Sequence, residues 1–357
     1  MVISAVASVA ATSAQLFDDE ELFEDQVYVD KNAGVRDQLS ILKMAPSLFK
    51  TMSNFTLEEF EILCQAVCPI IECTARSTGE NRSVFGRQPK LSSQQRLLNF
   101  LLYMKHDNTV RFDGHLWNWS KSSTCDDVIF IASCIKAALP NELCWPSADQ
   151  RRELAERTQF KGSIGFIDAT LVEICLPRHR QLEQRHQIFY NGRKSMYAVN
   201  NTVVIDLNGL FIYVDPGYPG SFHDVNILRH SDLFRNWREY FEHRDNYSQF
   251  LLGDPGYRGE EMFIMSRIGQ RQAVQTGNIA AIDVYNSMHA GQRVQVEWGI
   301  GGLKRKWSRL MKRFDAKLYK FSKFFYACAI LTNFIHRRRC DMTSIVEDGE
   351  AEWDGDY

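Results

Sequence analysis

The chain has 357 residues with a formal net charge of −2, and 45% of its residues are hydrophobic. This length and composition exclude a wholly disordered chain and predict one large core, or a core with a smaller domain. No apolar run approaches the roughly 20 residues needed to cross a bilayer, which argues against a membrane protein.

Charge is unevenly distributed along the chain. Seven acidic and no basic residues lie in 1–30, and six more acidic residues lie in 347–357. The residues between these ends therefore carry a net charge of about +11, which is typical of a surface that binds polyanions. We predict a disordered acidic arm over 1–40 and an acidic tail over 341–357. Nine cysteines without a CxxC pair indicate reduced thiols.

Residues 41–150 show helical patterns. Thr56-Leu-Glu-Glu and Ser92-Ser-Gln-Gln both have capping-box spacing at the start of an apolar run, so each predicts a helix. A further helix is predicted over Lys121–Lys136, after a short segment that ends near Trp117 and a break at 118–120. Helix, short turn and helix is the arrangement of a helix-turn-helix, and Lys121 and Ser122 would lie at the end of its second helix that reaches DNA. Three-helix packing without DNA contact is the alternative, with Trp117 in the core.

Residues 160–340 are predicted to be an α/β domain. Short apolar runs rich in β-branched residues predict strands, and a helical pattern covers 224–240 between the third and fourth of them. Two helices, over 292–313 and 317–339, follow at the end. Strands followed by helices in this order predict a mixed sheet flanked by helices. The predicted strands cover 163–174, 197–206, 210–214 and 249–253.

Three carboxylates lie where a polar side chain needs an explanation. Asp168 interrupts an apolar strand, Asp254 directly follows another, and Glu297 lies on the late helix with Arg293 and Lys304 on its face. Neighbouring parallel strands would bring the first two to one edge of the sheet, where open α/β sheets place their sites. Taken singly, each acid is explained as a cap, loop or solvated residue. Together they favour a site for Mg²⁺ or Mn²⁺, because hard cations prefer carboxylate oxygens.

Basic residues near these acids are candidate DNA contacts. Residues 304–313 hold six cations and Trp307, a composition that suits phosphate contacts with stacking or packing by the indole. The alternative is a solvated helix face with Trp307 in the core. The predicted DNA-binding residues are Arg193, Lys194, Arg293, Lys304, Arg305 and Lys306, together with Lys121 and Ser122 of the helical region.

Five segments in order resemble the PIF/Harbinger transposases, which are DDE superfamily endonucleases with an RNase H-like fold. The segments are Gly165-Phe-Ile-Asp168-Ala-Thr, Tyr190-Asn-Gly-Arg-Lys194, Pro219-Gly-Ser-Phe-His-Asp224, Leu251-Leu-Gly-Asp254-Pro-Gly-Tyr and Arg293-Val-Gln-Val-Glu297 with Leu303-Lys304. The resemblance covers roughly residues 160–336. It implies that Asp168, Asp254 and Glu297 are catalytic metal ligands, and that Asp224 is a ligand or supports one. Arg293 and Lys304 resemble part of the Tyr-Arg-Glu-Lys signature of related bacterial transposases, but Ala290 replaces its tyrosine.

The resemblance implies an RNase H-like catalytic domain after an all-α helix-turn-helix region. It also implies two Mg²⁺ or Mn²⁺ ions, cleavage at transposon ends with transfer of the 3′ ends to target DNA, a nuclear location, a dimer or larger assembly, and a Myb-like accessory partner. Two alternatives stay open from the residues alone. One is a domesticated relative that binds DNA or protein without cutting, and the other is a metal phosphodiesterase acting on RNA or small substrates.

Overall fold

The computed structural model describes residues 37–77, 91–106, 109–175, 186–244, 247–276, 278–314 and 318–348. Most of the predicted acidic arm and the end of the predicted acidic tail lie outside these residues. The described chain forms two compact units, one of residues 37–143 with 327–348 and one of residues 144–326. The domain limits predicted from the sequence, 41–150 and 160–340, stay predictions. None of the described helices is long and apolar enough to cross a membrane.

The first unit is helical. Both predicted capping boxes are present: Thr56 and Glu59 exchange backbone-to-side-chain hydrogen bonds of 3.1 and 2.8 Å, and Ser92 and Gln95 do the same. These bonds satisfy amide groups that the first helical turn leaves without partners. Its helices are α1 (Gln38–Lys43), α2 (Pro46–Ser53), α3 (Leu57–Ser77), α4 (Ser93–Lys105), α5 (Val110–Trp117) and α6 (Lys121–Ala138).

Helices α5 and α6 have the predicted helix, turn and helix shape. Asn118 ends α5 in the left-handed conformation with a φ of 52°, and Ser120 caps α6 by accepting a bond from the Ser123 amide. The indole of Trp117 is fully buried, as the alternative based on core packing predicted. Asp127 is also buried and is paired with Arg96, so its charge is not presented at the outer surface of α6. Whether α6 binds DNA stays a prediction.

The second unit is a mixed α/β fold. Its helices are α7 (Ala148–Arg157), α8 (Asp224–His230), α9 (Asp232–Arg235), α10 (Trp237–Tyr240), α11 (Gln270–Thr276), α12 (Ile279–Lys306) and α13 (Ser308–Met311). Its strands are β1 (Ser163–Glu173), β2 (Tyr190–Asn191), β3 (Met196–Ile205), β4 (Phe211–Pro219), β5 (His243–Arg244), β6 (Tyr247–Ser248), β7 (Phe250–Leu252) and β8 (Ile264–Met265). The last helix, α14 (Phe321–Asp348), begins in this unit and continues in the helical one.

The main sheet has the order β4–β3–β1–β7–β8, and the short β2 pairs with the start of β3. β1, β3 and β4 are antiparallel neighbours, whereas β7 is parallel to β1 and β8 is parallel to β7. The predicted mixed sheet is therefore confirmed. The pairing of β1 with β7 matters most for the site, because parallel neighbours end at the same edge of a sheet.

Apolar residues from the strands and the helices beside them form the core of this unit. β1 is buried over its first five residues, β3 over its last eight and β7 throughout, which explains why these stretches are largely apolar instead of strictly alternating. Burial of this surface from water is the main favourable term for folding. The buried cluster is formed by Leu154, Ala155, Ile164, Ile167, Val204, Ile212, Leu228, Leu233, Phe241, Leu251, Tyr257, Phe263 and Ile264.

Two predicted helices differ in the structure. The segment 224–240 forms three short helices instead of one, because Ser231 has an extended backbone and its hydroxyl caps the next helix by accepting a bond from the Phe234 amide. The helix predicted to begin at 292 begins at Ile279, where the Asn278 side chain accepts a bond from the Ala281 amide. It ends at Lys306, before the short α13.

Candidate active site

Asp168 and Asp254 lie side by side at one edge of the sheet. Phe166 of β1 pairs with Leu252 of β7 in a parallel ladder, and each carboxylate comes two residues after its member of that pair. The two strands therefore deliver both acids to the same level. The Asp168 carboxylate accepts a bond of 2.8 Å from the Ala169 amide, which fixes its orientation at the strand.

Asp254 is oriented by the turn that follows β7. Its side chain accepts a bond of 2.9 Å from the Gly256 amide and caps the single 3-10 turn Pro255–Tyr257. Gly256 also touches a second acid: a Cβ added there would lie 2.8 Å from Asp254 Oδ1 and 3.5 Å from Asp224 Oδ2. Gly256 thus marks the place where the Asp254 and Asp224 carboxylates approach each other.

Asp224 is the first residue of α8 and reaches the site from the segment Gly220-Ser-Phe-His-Asp. Asn200 of β3 donates a bond of 2.9 Å to Asp224 Oδ1 and a longer bond of 3.3 Å to the Phe222 carbonyl. One amide therefore fixes both the carboxylate and the backbone that carries it. The structure brings Asp168, Asp224 and Asp254 together at this edge of the sheet.

Glu297 approaches the same edge from α12, but a guanidinium lies between it and β1. Arg293 donates from Nη1 to Asp168 Oδ2 at 2.9 Å and from Nη2 to Glu297 Oε1, one helical turn away. Lys304, on the same face, donates from Nζ to the Leu171 carbonyl of β1 at 2.7 Å. These bonds attach α12 to β1, so the common face predicted for Arg293, Glu297 and Lys304 faces the sheet.

The close approach of the acids shifts their pKa values. Burial raises the pKa of Asp168 to about 6, and the nearby Asp254 charge adds to this rise, whereas the Ala169 amide and Arg293 oppose it. Burial also raises the pKa of Asp224, opposed by the Asn200 hydrogen bond and the charge of Arg193, and reinforced by Asp254. Burial and mutual repulsion disfavour the ionised forms of these carboxylates. A cation bound among them would therefore be stabilising.

Tyr257 forms the buried floor of this cluster. Its side chain is fully buried, and burial followed by the charges of Asp224, Asp168 and Asp254 raises its pKa well above the ordinary range. The Tyr257 hydroxyl lies beside that of Thr202, but neither oxygen has a well-aligned hydrogen bond within the described part of the chain. Buried hydroxyl groups usually have such a partner.

The other predicted DNA-binding residues lie in different surroundings. Arg193 and Lys194 are exposed in the turn between β2 and β3, and Arg193 is close enough to Asp224 to affect its pKa. Arg305 is exposed and Lys306 is half-buried at the end of α12. In the helical unit, Lys121 is half-buried and Ser122 exposed at the start of α6.

The basic stretch 304–313 is divided between core and surface. Trp307 is fully buried, so the prediction that it lies in the core is confirmed. Arg309 is buried as well, and burial lowers the pKa of Lys304 to about 8. The stretch is therefore not one solvated basic face. Among its cations, only Arg305, Lys312 and Arg313 are exposed.

The donor set fits a hard divalent cation in its chemistry. Asp168, Asp224 and Asp254 offer only carboxylate oxygens, the ligands that Mg²⁺ and Mn²⁺ prefer. In the arrangement described, however, no three His, Cys, Asp or Glu side chains of the described residues are grouped closely enough to hold one ion. The carboxylate of Glu297, the fourth predicted ligand, is bonded to Arg293 in this arrangement.

Four residues around the site escaped prediction from the sequence. Asn200 had a visible signal, because Asn200-Asn201 interrupts an otherwise apolar strand. Gly256 and Tyr257 lie in a motif that was chosen for Asp254 alone. Trp298 follows Glu297 directly and is exposed, which a single sequence does not reveal.

Gly256→Ala is expected to weaken metal binding about tenfold or more, within the range found when the support of a ligand is disturbed. The added Cβ meets Asp254 Oδ1 at 2.8 Å, so that carboxylate has to turn away from its position beside Asp224. Titration with Mn²⁺ by calorimetry would measure the change. Gly192→Ala is the control, because nothing lies within 4 Å of its Cβ position. Equal affinities for Gly256→Ala and wild type would contradict the expectation.

Comparison with known proteins agrees with this arrangement. Residues 167–333 match the family model described as DDE superfamily endonuclease. The chain is 27% identical over 110 residues to HARBI1 of Homo sapiens, whose name describes it as a candidate nuclease, with 31% of this chain and 30% of that protein covered. It is 20% identical over 223 residues to the protein ALP1-like of Arabidopsis thaliana, with 59% of this chain and 53% of that protein covered.

The matched stretches thus span about a third of the length of HARBI1 and about half of the length of ALP1-like. No solved structure matches the chain at a significant level. The sheet edge that carries Asp168, Asp224 and Asp254 lies inside the region that is similar to the DDE superfamily endonucleases. The similarity to HARBI1 and ALP1-like agrees with the resemblance to the PIF/Harbinger transposases.

Proposed function

We propose that the chain is a metal-dependent endonuclease that cuts phosphodiester bonds of DNA at transposon ends and transfers the 3′ ends to target DNA. The observation that carries the proposal is the position of Asp168 and Asp254, which the parallel pairing of β1 with β7 brings to one level. Asp224 meets Asp254 at Gly256, and Arg293 links Glu297 to Asp168. The strand order, with three antiparallel strands followed by two parallel ones, supports an RNase H-like fold.

In this proposal Asp168, Asp224 and Asp254 hold the ions, and Glu297 joins them when it releases Arg293. Two bound ions of this kind activate the attacking oxygen and stabilise the leaving one. The residues of the chain orient the substrate and the ligands. Asn200 and the Gly256 amide hold two of the carboxylates, and Arg293, once released, is placed to bind a phosphate oxygen with its planar guanidinium.

DNA would approach across exposed cations on either side of the carboxylates. Arg193 and Lys194 lie on the side of Asp224, and Arg305 lies beyond Glu297 on α12. Such contacts neutralise phosphates without reading sequence. Action on DNA fits a nuclear location, and the resemblance to PIF/Harbinger transposases supports a dimer or larger assembly and a Myb-like accessory partner. Contacts of Lys121 and Ser122 with DNA also belong to the proposal.

A second function is favoured by one observation. Arg293 neutralises Asp168 and Glu297 within the chain itself, so the fold has an internal counter-charge for its acids. A domesticated relative that binds DNA or protein without cutting would keep this arrangement permanently. The two functions differ in whether a metal ion can displace the guanidinium.

Calorimetric titration with Mn²⁺ tests the proposal directly, because it does not require an accessory protein. We expect wild type to bind Mn²⁺ and Asp168→Ala, Asp254→Ala and Glu297→Ala to lose most of the binding. The loss of Mn²⁺ affinity in Asp224→Ala would measure how much this carboxylate contributes to the site. Asp283→Ala is the matched control, because this exposed acid lies on α12 at a distance of 14 residues from Glu297. Absence of binding to wild type would favour the non-cutting function.

Binding of Mn²⁺ should depend steeply on pH near 6. The pKa of Asp168 is raised to about 6 by burial, so below that pH a proton competes with the ion for the carboxylate. We expect the affinity to fall about tenfold for each pH unit below 6 and to level off above pH 7. Titrations in two buffers with different ionisation enthalpies would measure the protons released. An affinity that stays constant from pH 5 to pH 7.5 would rule out this dependence.

A further inference from the structure

Trp298 is an unusually exposed tryptophan that directly follows Glu297 in the chain. It exposes 67% of its surface, whereas Trp307 is fully buried and Trp145 and Trp237 are half-buried in the same unit. Large aromatic side chains are normally placed where most of their surface is removed from water. Isolated exposed apolar residues are common on proteins, so the surroundings of Trp298 decide whether its exposure has a meaning.

The packing of α12 fixes the direction of this side chain. Val296 and Leu303 are fully buried, and Gly299 lies so close to β3 that an added Cβ would be 2.3 Å from Ile205 Cδ1. These positions define the face of α12 that packs on the sheet. Each step along a helix turns the side chain by about 100°, so Glu297 lies at the rim of that face and Trp298 lies beyond it, toward solvent.

The helix leaves the indole uncovered. Helical side chains lean toward the N-terminus, so groups three and four residues later are the ones that would cover Trp298 from its C-terminal side. Those residues are Gly301 and Gly302, and nothing lies within 4 Å of a Cβ position at Gly302. The C-terminal side of the indole is therefore bordered by open space at Gly302 and, at Gly301, by the end of the flexible Arg305 side chain.

An exposed arginine lies on the same side of α12 as this ring. Arg305 is exposed seven residues after Trp298, about 10.5 Å along the helix, and its guanidinium folds back over Gly301. Glu297, the residue before Trp298, belongs to the proposed active site. An exposed indole one residue from a proposed metal ligand, with an arginine two turns further along the same side of the helix, matches a nucleotide, whose base stacks on the ring while a phosphate pairs with the guanidinium.

We propose that Trp298 is a stacking platform for an unpaired nucleobase of the DNA strand held at the active site, with Arg305 binding a phosphate of the same strand. The proposal rests on the proposed function for its DNA substrate. It adds that the base next to the cut has left the duplex, since a paired base cannot offer its face to a side chain. A protein partner is the competing explanation of the exposed ring, and the neighbouring glycines and cation favour the base.

Binding of DNA with 2-aminopurine as an unpaired base beside a nick, measured with the full chain in EDTA, tests the proposal. We expect wild type to quench the 2-aminopurine fluorescence. Trp298→Ala should remove the quenching and raise Kd about tenfold, in the range found for one stacked base. Trp298→Phe should keep most of both effects. Val284→Ala is the control, because Val284 is a 60% exposed apolar residue on the same helix.

Three outcomes would overturn the proposal. The first is an equal Kd and equal quenching for Trp298→Ala and wild type. The second is a loss of quenching and of DNA affinity that is as large in Val284→Ala as in Trp298→Ala. The third is a change of sedimentation behaviour in Trp298→Ala with unchanged DNA binding, which would assign the ring to a protein contact. Because EDTA prevents metal-dependent cleavage, quenching by a wild type that never cuts DNA would support the platform and refute only the nuclease.

Discussion

Asp168→Asn is expected to lower the proposed metal-dependent cleavage strongly and to make the folded protein more stable. Asparagine keeps the volume of the side chain but removes the charge that a cation requires. We expect cleavage to fall by about 10²–10³-fold, the loss typical of one preorganised electrostatic group. The gain in stability follows from burial, which raises the pKa of Asp168 to about 6 from an ordinary value of 3.8.

The sign of the stability change follows from proton binding. Between pH 3.8 and about pH 6 the folded state holds this proton more tightly than the unfolded state, so the stability of the wild type falls as pH rises through that range. At pH 7.5 the wild type carries the whole free-energy cost of burying the charged carboxylate of Asp168. One pKa unit corresponds to about 1.4 kcal/mol, and the pKa of about 6 already includes the opposing bond to Arg293. Because solvent screens part of this cost at a side chain that is 17% exposed, we expect a net gain of about 1–2 kcal/mol.

Thermal unfolding in EDTA would measure this gain as a midpoint raised by about 2–6 °C at pH 7.5. At pH 4 the midpoints of wild type and Asp168→Asn should converge. Asp283→Asn, in which an exposed acid of α12 is replaced, should change neither cleavage nor stability appreciably. A destabilised Asp168→Asn would mean that the bond to Arg293 outweighs the cost of burying the charge.

Sequence patterns predicted the acids because carboxylates are conspicuous in apolar strands. Asp168 interrupts the buried strand β1, and Asp254 follows the buried strand β7 directly. Both signals are local, and parallel pairing of the two strands was enough to predict one shared edge. The mixed sheet flanked by helices was predicted for the same reason, since its strands are buried runs that are easily recognised.

Features that depend on distant contacts could not be predicted in this way. The strand β8 has two residues, too few to leave a pattern, and its place beside β7 depends on the tertiary fold. The bond of Arg293 to Asp168 joins residues 125 positions apart. The sequence placed Arg293 and Lys304 on the face of Glu297, but the direction of that face was set by packing against β1 and β3.

The role of Lys304 illustrates the same limit. Basic residues in 304–313 predicted phosphate contacts, whereas Lys304 is half-buried and donates to the Leu171 carbonyl. Composition reports the number of charges, and burial decides which of them face solvent. The predicted contact of Lys304 with DNA is untested, but it would require this lysine to leave a strand carbonyl.

Gly165→Ala is expected to destabilise the α/β unit by about 2–3 kcal/mol, at the upper end of the cost of overpacking a core. Gly165 lies in β1, three residues before Asp168, where the end of β3 approaches closely. A Cβ at this position would be 2.5 Å from the Ile205 carbonyl oxygen and 3.3 Å from the Asp206 Cα. Because both atoms belong to the backbone, relief requires β3 to move, and rotation of a side chain cannot provide it.

The strain at Gly165 should also reach the site. β3 carries Asn200, which holds Asp224, and β1 carries Asp168, so a shift between these strands separates the two acids. We therefore expect Gly165→Ala to lower both the urea midpoint and the affinity for Mn²⁺. Gly291→Ala is the matched control, because nothing lies within 4 Å of its Cβ position in α12 and alanine favours a helix. Unfolding of both variants at the wild-type midpoint would contradict the expectation. It would mean that the backbone of β3 tolerates a Cβ at position 165.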